Sequence, residues 1–242
     1  MEEAIVVRGL TKRYDGRAVV DGLDMTVRRG TVFGLLGANG AGKSTSIECM
    51  LGTRRADGGT VRLLGQDPRR NRRALMARIG VQFQEGDYQQ EIRVNELCEE
   101  TACLYKNPAD WHALLSRFGL GEKEQSAVKS LSGGQRQRLF IVLALIPQPE
   151  LVFLDELTTG LDARARREIW QLLASLRDQG LTILLTSHFM DEVEALCDAI
   201  CILRRGKTVF TGTVEEAKAR CGCTDFEDAY LMLSEDEKEE NA

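Results

Sequence analysis

The sequence predicts an α/β fold built on a mostly parallel β-sheet with helices packed against it. Three short apolar runs, at 31–36, 151–154 and 181–186, are typical of strands buried on both faces of a parallel sheet. Between the last two runs, residues 163–179 carry apolar side chains at helical spacing and form one amphipathic helix. Strands and helices that alternate in this way favour a parallel sheet.

The N-terminal part follows a different pattern. Residues 3–10 and 19–27 are rich in apolar residues and are separated by Tyr14-Asp15-Gly16, which is suited to a turn. Glycines bracket a further short strand pattern at 60–64. We therefore expect an antiparallel β subdomain that leads into the first strand of the parallel sheet.

A helical segment interrupts the strand–helix alternation between about 85 and 146. Amphipathic helices are predicted over 94–105 and 109–118, with no convincing strand between them. We expect one domain over 1–233 with this helical subdomain inserted into it, followed by an acidic flexible tail over 234–242.

Composition excludes several classes of protein. The chain has 43% hydrophobic and 29% charged residues, typical of a globular protein, and its net charge of −5 argues against nucleic acid as the main partner. The basic run at 69–73 lacks interleaved aromatic residues and indicates a solvated helix start. The longest apolar run, 139–146, is far shorter than the ~20 residues that cross a bilayer. Met1-Glu2-Glu3 is acidic where a secretory signal is basic, so we expect a cytoplasmic protein.

The seven cysteines, odd in number and irregularly spaced, suit a reducing compartment. Cys221 and Cys223 form the only tight pair, and no second pair or nearby histidine completes a metal site. We therefore expect plain thiols rather than a disulfide framework or a bound metal.

The strongest motif lies at 37–45, which reads Gly-Ala-Asn-Gly-Ala-Gly-Lys-Ser-Thr and matches the phosphate-binding pattern Gly-x-x-x-x-Gly-Lys-Ser/Thr. It follows a predicted strand and precedes a predicted helix, which is the context that this pattern requires. Glycines let successive N–H groups point at an anion, and the helix adds its positive end. Lys43 can neutralise the outer phosphates and the Ser44 hydroxyl can ligate Mg²⁺. These residues predict the core of a phosphate-loop (P-loop) nucleoside triphosphatase.

Polar residues follow other predicted strands at the edge where α/β sheets bind ligands. Gln84 ends one strand, and Asp155 and Glu156 end the apolar strand at 151–154. Asp155 fits the carboxylate that holds Mg²⁺, and Glu156 can orient or deprotonate an attacking water. Acidic pairs at strand ends also serve as simple helix caps. His188 follows the strand at 181–186, at the same edge, although a histidine there, taken alone, is more often structural.

Two further features leave alternatives open. Ser132 is a natural N-cap, and Gly133 and Gly134 would let a large anion approach the start of the helix that follows. The same residues also describe an ordinary capped helix. Tyr14 is either a half-buried residue at a strand end or a surface on which an adenine ring stacks.

Taken in order with Leu161-Asp162, these motifs resemble the ATP-binding subunits of ATP-binding-cassette (ABC) transporters. The resemblance covers nearly the whole chain, and Leu-Ser-Gly-Gly-Gln at 131–135 together with a phosphate loop is highly specific. It implies an ATPase that uses Mg²⁺, and a site built from two chains that closes around ATP.

The resemblance also implies a role for each site residue. Gln84, Glu156 and His188 would act in catalysis, by contacting the metal or the water, activating the water, and contacting the γ-phosphate. Ser44, Gln84 and Asp155 would hold Mg²⁺. The residues implied in ATP binding, of which those at 132–135 would contact ATP on the other protomer, are Tyr14, Gly37, Asn39, Gly40, Ala41, Gly42, Lys43, Ser44, Thr45, Ser132, Gly133, Gly134, Gln135 and Asp162.

The segments 189–198 and 225–231 look like those of export-type, ABC-2-like ATPases, which pair with small membrane permeases. The resemblance therefore implies a separate transmembrane permease, attachment to the inner face of the membrane through it, and a homodimer or a heterodimer with a sister subunit. Leu157 departs from the pattern, because the family usually has proline after the catalytic glutamate. This departure bears on the turnover rate and the dimer interface rather than on ATP binding.

Other functions are less consistent with the sequence. Members that act in translation resemble two cassettes fused in one chain, whereas this chain has one phosphate loop. Members that act on chromosomes carry a long coiled coil, and the helical insert lacks sustained heptads. A subunit that binds ATP without hydrolysing it would not need Asp155, Glu156 and His188 together.

Overall fold

The computed structural model describes residues 2–70, 72–82, 89, 91–156 and 158–234. Two sheets and a set of helices make up this part of the chain. The strands are β1 (Glu3–Tyr14), β2 (Arg17–Arg28), β3 (Val32–Leu36), β4 (Gly58–Leu63), β5 (Ile79–Gln82), β6 (Leu151–Asp155), β7 (Thr182–Thr186), β8 (Ala199–Arg204) and β9 (Lys207–Gly212). The helices are α1 (Lys43–Met50), α2 (Arg72–Met76), α3 (Val94–Cys103), α4 (Trp111–Arg117), α5 (Gly133–Leu145), α6 (Ala163–Asp178), α7 (Met190–Leu196), α8 (Val214–Cys221) and α9 (Phe226–Ser234), with short 3-10 turns at Gly121–Lys123 and Val128–Ser130.

The larger sheet has the strand order β5-β6-β7-β3-β8-β9. The pairs from β5 to β8 are parallel, and β9 returns antiparallel to β8. Strands β3, β6 and β7 are buried along their whole length, as their apolar sequences predict. Because parallel strands end at the same edge, Asp155 lies opposite Thr186 where β6 and β7 finish.

The smaller sheet has the order β2-β1-β4 and is antiparallel throughout. Helix α1 packs into the same hydrophobic core, where Ile47 and Met50 lie among Leu10, Phe33 and other fully buried side chains. The expected combination of a mostly parallel sheet and an N-terminal antiparallel region is confirmed.

Helices α3 to α5 occupy the expected helical segment. Their buried residues, including Leu115 and Val142, join one core with Leu154 and Ile183 of the parallel sheet. Whether this segment is a subdomain with the boundaries predicted from sequence stays a prediction.

Two helix starts are set by side-chain caps, and one of them, that of α4, differs from the predicted start at 109. Helix α4 begins at Trp111 because the Asp110 side chain caps it, accepting from the backbone N–H of His112 and Ala113 at 3.0 and 3.2 Å. Helix α5 begins at Gly133, directly after Ser132, the N-cap predicted from the sequence. In both cases the side-chain cap, rather than the apolar periodicity, sets the boundary.

Some predicted features lie outside the described residues. These are Gln84, Leu157 and residues 235–242 of the expected tail, whose remaining residue, Ser234, closes α9. Among the helices that the structure describes, none has the length and apolar character needed to cross a membrane.

Candidate active site

The phosphate loop between β3 and α1 is shaped by its glycines and by two neighbouring strands. Gly37 has φ +149° and Gly42 has φ +103°, backbone angles that residues other than glycine rarely adopt. A Cβ atom at Gly37 would lie 2.5 Å from the carbonyl oxygen of Leu203, and one at Gly42 would lie 2.5 Å from that of Val19. The loop therefore keeps its path only with glycine at both positions.

Lys43 begins α1 and folds back over this loop. Its ammonium donates to the carbonyl oxygens of Gly37 at 2.7 Å and Ala38 at 3.3 Å, and the residue is only 6% exposed. Burial lowers the pKa of Lys43, while the carboxylates of Glu156 and Asp155 act in the opposite direction. Lys43 thus places a cation in a partly desolvated position, where its attraction to an anion is stronger than in water.

Ser44, Asp155 and Thr186 form a hydrogen-bonded chain at the edge of the parallel sheet. The Ser44 hydroxyl donates to Oδ2 of Asp155 at 3.3 Å, and the Thr186 hydroxyl donates to Oδ1 at 2.5 Å. Asp155 is 4% exposed, so its carboxylate is held at the end of β6 with both oxygens engaged. A hydroxyl and a carboxylate side by side are the oxygen ligands that Mg²⁺ prefers, usually with phosphate oxygens and water completing the octahedron.

Glu156 and His188 complete this group of residues. Nε2 of His188 lies 2.6 Å from Oε1 of Glu156, and the Glu156 N–H donates to the Thr186 hydroxyl at 3.0 Å. Glu156 has φ +52°, a left-handed conformation that costs a side-chain-bearing residue about 1 kcal/mol or more. Strain of this kind persists where the surroundings hold it, and it is concentrated at functional sites. We call Ser44, Asp155, Glu156, Thr186 and His188 the strand-end cluster.

A second group of predicted residues surrounds the start of α5. Ser132 and Gln135 form a reciprocal capping box, in which the Ser132 hydroxyl accepts from the Gln135 N–H at 3.2 Å and the Gln135 side chain accepts from the Ser132 N–H at 3.0 Å. Asp162 caps α6 by accepting from the N–H groups of Arg164 and Ala165 at 3.0 and 2.9 Å. Both helix starts open into one cavity of about 410 Å³.

Gly133 and Gly134 line this cavity, and the fold of this chain does not require glycine at either position. Neither residue has a positive φ. A Cβ atom would lie 3.8 Å from the Leu161 side chain at Gly133, and 3.4 Å from the Ala165 Cβ at Gly134, both ordinary contacts. Glycine in a helix costs roughly 0.5–1 kcal/mol relative to alanine. The absence of side chains here therefore leaves room for something outside the chain itself.

Tyr14 stands apart from both groups. It ends β1 with 37% of its surface exposed. Lys12 Nζ and the Arg54 guanidinium lie over its ring, 5.2 and 5.5 Å from the centroid. The ring is thus a presented aromatic face that already attracts cations, which fits a stacking surface as well as a strand-end residue.

The structure brings Lys43, Ser44, Asp155, Glu156 and His188 together, whereas Ser132–Gln135 and Asp162 line a separate cavity. Asn39, Gly40 and Ala41 line another cavity, of about 200 Å³. Sequence reasoning missed Thr186, which bonds both Asp155 and the Glu156 backbone. Its position at the end of an apolar strand, level with Asp155, was the available signal.

Comparison with known proteins agrees with this geometry. The family model described as ABC transporter matches residues 20–159, more than half of the chain. The Nod factor export ATP-binding protein I of Ralstonia nicotianae is 43% identical over 216 residues, covering 87% of this chain and 67% of that protein. The daunorubicin resistance ATP-binding protein DrrA3 of Streptomyces coeruleorubidus is 38% identical over 226 residues, covering 91% of this chain and 72% of that protein.

Solved structures show the same likeness. An ATP-binding subunit of an ABC transporter superposes with a TM-score of 0.86 at 25% identity, over 95% of this chain and 99% of that one. The protein cbiO1 from Clostridium perfringens, part of an ABC transporter complex, gives a TM-score of 0.78 at 27% identity, over 96% and 99%. The resemblance drawn from the motifs is confirmed, and the transport function is favoured over the soluble alternatives. The chain belongs to the ABC transporter family, in which it is an ATP-binding subunit that hydrolyses ATP.

Proposed function

We propose that this chain binds MgATP between two ATP-binding subunits and uses its hydrolysis to drive export through a separate membrane permease. The observation that carries the proposal is the strand-end cluster, in which hydrogen bonds link Ser44, Asp155, Thr186, Glu156 and His188 beside the buried ammonium of Lys43. Phosphoryl transfer needs positioning and charge stabilisation more than covalent chemistry, and this cluster supplies both.

The residues divide the work by their chemistry. The N–H groups of the phosphate loop and the Lys43 ammonium would bind the phosphate oxygens, with Asn39, Gly40, Ala41 and Thr45 in the same loop and helix start. Ser44 and Asp155 would hold Mg²⁺, which when bound neutralises charge on the phosphate oxygens. The Glu156 carboxylate would accept a proton from the attacking water, and His188, now 2.6 Å from Glu156, would turn its imidazole to the γ-phosphate.

Two residues proposed from the resemblance stand outside this cluster. Tyr14 would stack on the adenine ring, displacing or sharing the cations that now lie over its face. Gln84, which lies outside the described residues, would contact Mg²⁺ or the attacking water and transmit the state of the site to the permease.

The second half of each site would come from the other subunit. Ser132–Gln135 form a helix N-terminus that carries no lysine, opens into a cavity and keeps two glycines that its own fold does not need. A helix start of this kind suits an anion, here the γ-phosphate of ATP bound to the partner. Asp162, at the edge of the same cavity, would lie at the contact between the two subunits.

Export is proposed from the relatives, which are named for Nod factor export and for daunorubicin resistance. We infer that the chain sits at the inner face of the membrane by docking on its permease. The expected helical subdomain, about 85–146, would provide the docking surface, and the cargo would be selected by the membrane chain.

Mixing two inactive variants tests the two-chain site. Lys43→Ala removes the loop cation, and Ser132→Arg fills the cavity at the start of α5, so each variant alone should lose ATPase activity. A mixed dimer contains one site with an intact Lys43 from one chain and an intact Ser132 from the other. We expect the mixture to recover about a quarter of the parent activity if sites act independently and chains pair at random.

The control is a mixture of Lys43→Ala with a Lys43→Ala, Ser132→Arg double variant, which offers no intact site and should stay inactive. Activity is measured as phosphate release in the presence of Mg²⁺. If the two single variants fail to complement while ATP-dependent pairing of the parent is observed, the shared site is wrong. Parent chains that bind ATP but never pair with one another would instead require a different sister subunit.

A further inference from the structure

Glu192, on α7, is a buried carboxylate that the proposed reaction does not use. The helix follows the loop at 187–189, which we call the His188 loop. It is 2% exposed, whereas its neighbours Asp191 and Glu194 on the same helix are exposed. Burial raises the pKa of Glu192. Burying a carboxyl group in a protein core is costly unless its polar atoms find partners.

The partners of Glu192 come from three different parts of the chain. The indole N–H of Trp170, on α6, donates to Oε1 at 2.9 Å. The hydroxyl of Ser187 lies against the same carboxylate and favours its ionised form. The hydroxyl of Thr158 also lies beside it, buried and outside ordinary hydrogen-bond geometry.

These partners are adjacent to the strand-end cluster. Ser187 immediately precedes His188, and its Oγ accepts from the Phe189 N–H at 3.0 Å, so it turns the backbone that carries the imidazole. Thr158 is two residues beyond Glu156, in the turn that leads to α6. Glu192 therefore lies beside the segment that carries His188 and beside the turn that follows Glu156, whose side chain is 2.6 Å from that of His188.

A second set of contacts ties the same loop to α6. The Arg166 guanidinium lies 4.3 Å from the centroid of the Phe189 ring and 3.5 Å from a carboxylate oxygen of Asp191. Phe189 is the residue after His188. Helix α6 thus holds the His188 loop at two points, through Arg166 at its outer side and through Trp170 by way of Glu192.

We propose, on the basis of the proposed ATPase site, that Glu192 is a positioning residue, which sets the orientation of the His188 imidazole relative to Glu156 through its hydrogen bond to Trp170 and its place beside the Ser187 and Thr158 hydroxyls. If the side chain at this position only filled space, an apolar residue would serve. Burying a carboxyl group costs more folding free energy than burying an apolar side chain of similar volume. Glu192 would not touch ATP. Its effect would pass through the orientation of the His188 imidazole.

The test compares three single variants in the full chain. Glu192→Gln keeps the shape and an oxygen acceptor for Trp170, so we expect kcat for ATP hydrolysis within about threefold of the parent. Glu192→Leu removes the polar partner, and we expect kcat to fall at least about tenfold with KM for ATP changed less than about twofold. The matched control is Glu194→Leu, which removes an exposed carboxylate from the same helix and should leave kcat unchanged.

A double-mutant cycle separates positioning from simple packing. If Glu192 acts through His188, Glu192→Leu should cost at most about twofold in kcat when His188 is already alanine, because the group being positioned is gone. The same change combined with Tyr14→Ala should show its full effect, since Tyr14 lies elsewhere.

Loss of folding in Glu192→Leu does not end the test, because Trp170→Phe removes one donor and keeps an aromatic ring. We expect it to lower kcat about threefold and to lose that effect in the His188→Ala background. Full effects in both backgrounds, or unchanged kcat in Glu192→Leu, would overturn the proposal. These outcomes are measured against an active parent, so they are distinct from a failure of the two-chain site.

Discussion

At the scale of single residues, Glu156 combines a strained backbone with close contacts from both its backbone N–H and its side chain. Its backbone is held in the left-handed region by hydrogen bonds from its N–H to the carbonyl and hydroxyl oxygens of Thr186, at 3.2 and 3.0 Å. Its side chain lies 2.6 Å from His188. The strain and the hydrogen bonds fix the direction of the carboxylate before any substrate arrives, which is how a general base is best prepared.

Glu156→Gln should separate binding from chemistry. The amide keeps the size of the side chain but cannot accept the proton of the attacking water, so we expect kcat to fall at least about 100-fold while ATP affinity is retained. Trapped ATP should also prolong the paired state. Phosphate release, together with light scattering of the MgATP-treated protein, measures both effects. Parent-like turnover in this variant would contradict the role given to Glu156.

At the scale of elements, the first turn of α5 contains two glycines, which lower helix stability and leave open space beside the helix. Ser132 and Gln135 cap the turn well, yet its first two helical positions are Gly133 and Gly134. A Cβ atom would make ordinary contacts at both positions, so packing within this chain does not explain the glycines. They lower the stability of the helix without a gain elsewhere in the chain.

Gly134→Ala should therefore raise stability and lower function. We expect the folded state to gain a few tenths of a kcal/mol, up to about 1 kcal/mol, from helix propensity. We also expect ATP-dependent pairing to weaken at least about tenfold, since Gly134 lines the cavity proposed for a phosphate and a methyl group there would narrow it. Urea unfolding and light scattering are the two measurements.

The matched control is Gln171→Ala, an exposed position within α6, which should raise stability in the same way and leave pairing unchanged. If Gly134→Ala pairs as the parent does, the start of α5 is an ordinary capped helix.

At the scale of the whole molecule, an ion-pair group at the opposite edge of the parallel sheet joins distant parts of the chain. Glu150, just before β6, accepts from Arg78 at 2.5 and 2.9 Å and from Arg29 at 2.8 Å. Arg78 precedes β5, and Arg29 lies between β2 and β3. The group therefore ties the antiparallel region to the amino-terminal ends of two parallel strands, far in sequence from one another.

This group should make stability depend on acid. The hydrogen bonds from Arg78, and then those from Arg29, lower the pKa of Glu150 below its value in the unfolded chain. A carboxyl group of this kind stabilises the fold above its unfolded pKa, and the contribution is lost as pH falls through its folded pKa. Because the side chain is 41% exposed, we expect at most about 1 kcal/mol.

Glu150→Gln should be less stable than the parent at pH 7, and the difference should shrink toward zero below about pH 4. Urea midpoints at the two pH values measure it, with Glu99→Gln, an exposed glutamate of α3, as the control. An equal difference at both pH values would mean that Glu150 contributes through packing rather than charge.

The parts of this fold that were predictable from sequence are those in which short-range pattern and tertiary packing agree. The buried strands β3, β6 and β7 are apolar runs in the sequence because both of their faces are covered. The phosphate loop was recognised from Gly37, Gly42 and Lys43 at their required spacing. The polar residues at strand ends were found because parallel strands deliver their termini to one edge.

Glu192 shows why other features were not predictable. In sequence it belongs to Asp-Glu-Val-Glu, an acidic helix start that normally faces water. Its burial depends on how α7 lies against Trp170 of α6, which is a tertiary contact with no local signal.

The carbonyl oxygens of Val19 and Leu203, which leave no room for a Cβ atom at Gly42 and Gly37, have a consequence for energetics. A loop wedged between two strands has few alternative shapes to give up, so a ligand that enters it pays little conformational entropy. The free energy of nucleotide binding would then remain available for moving whole subunits relative to each other.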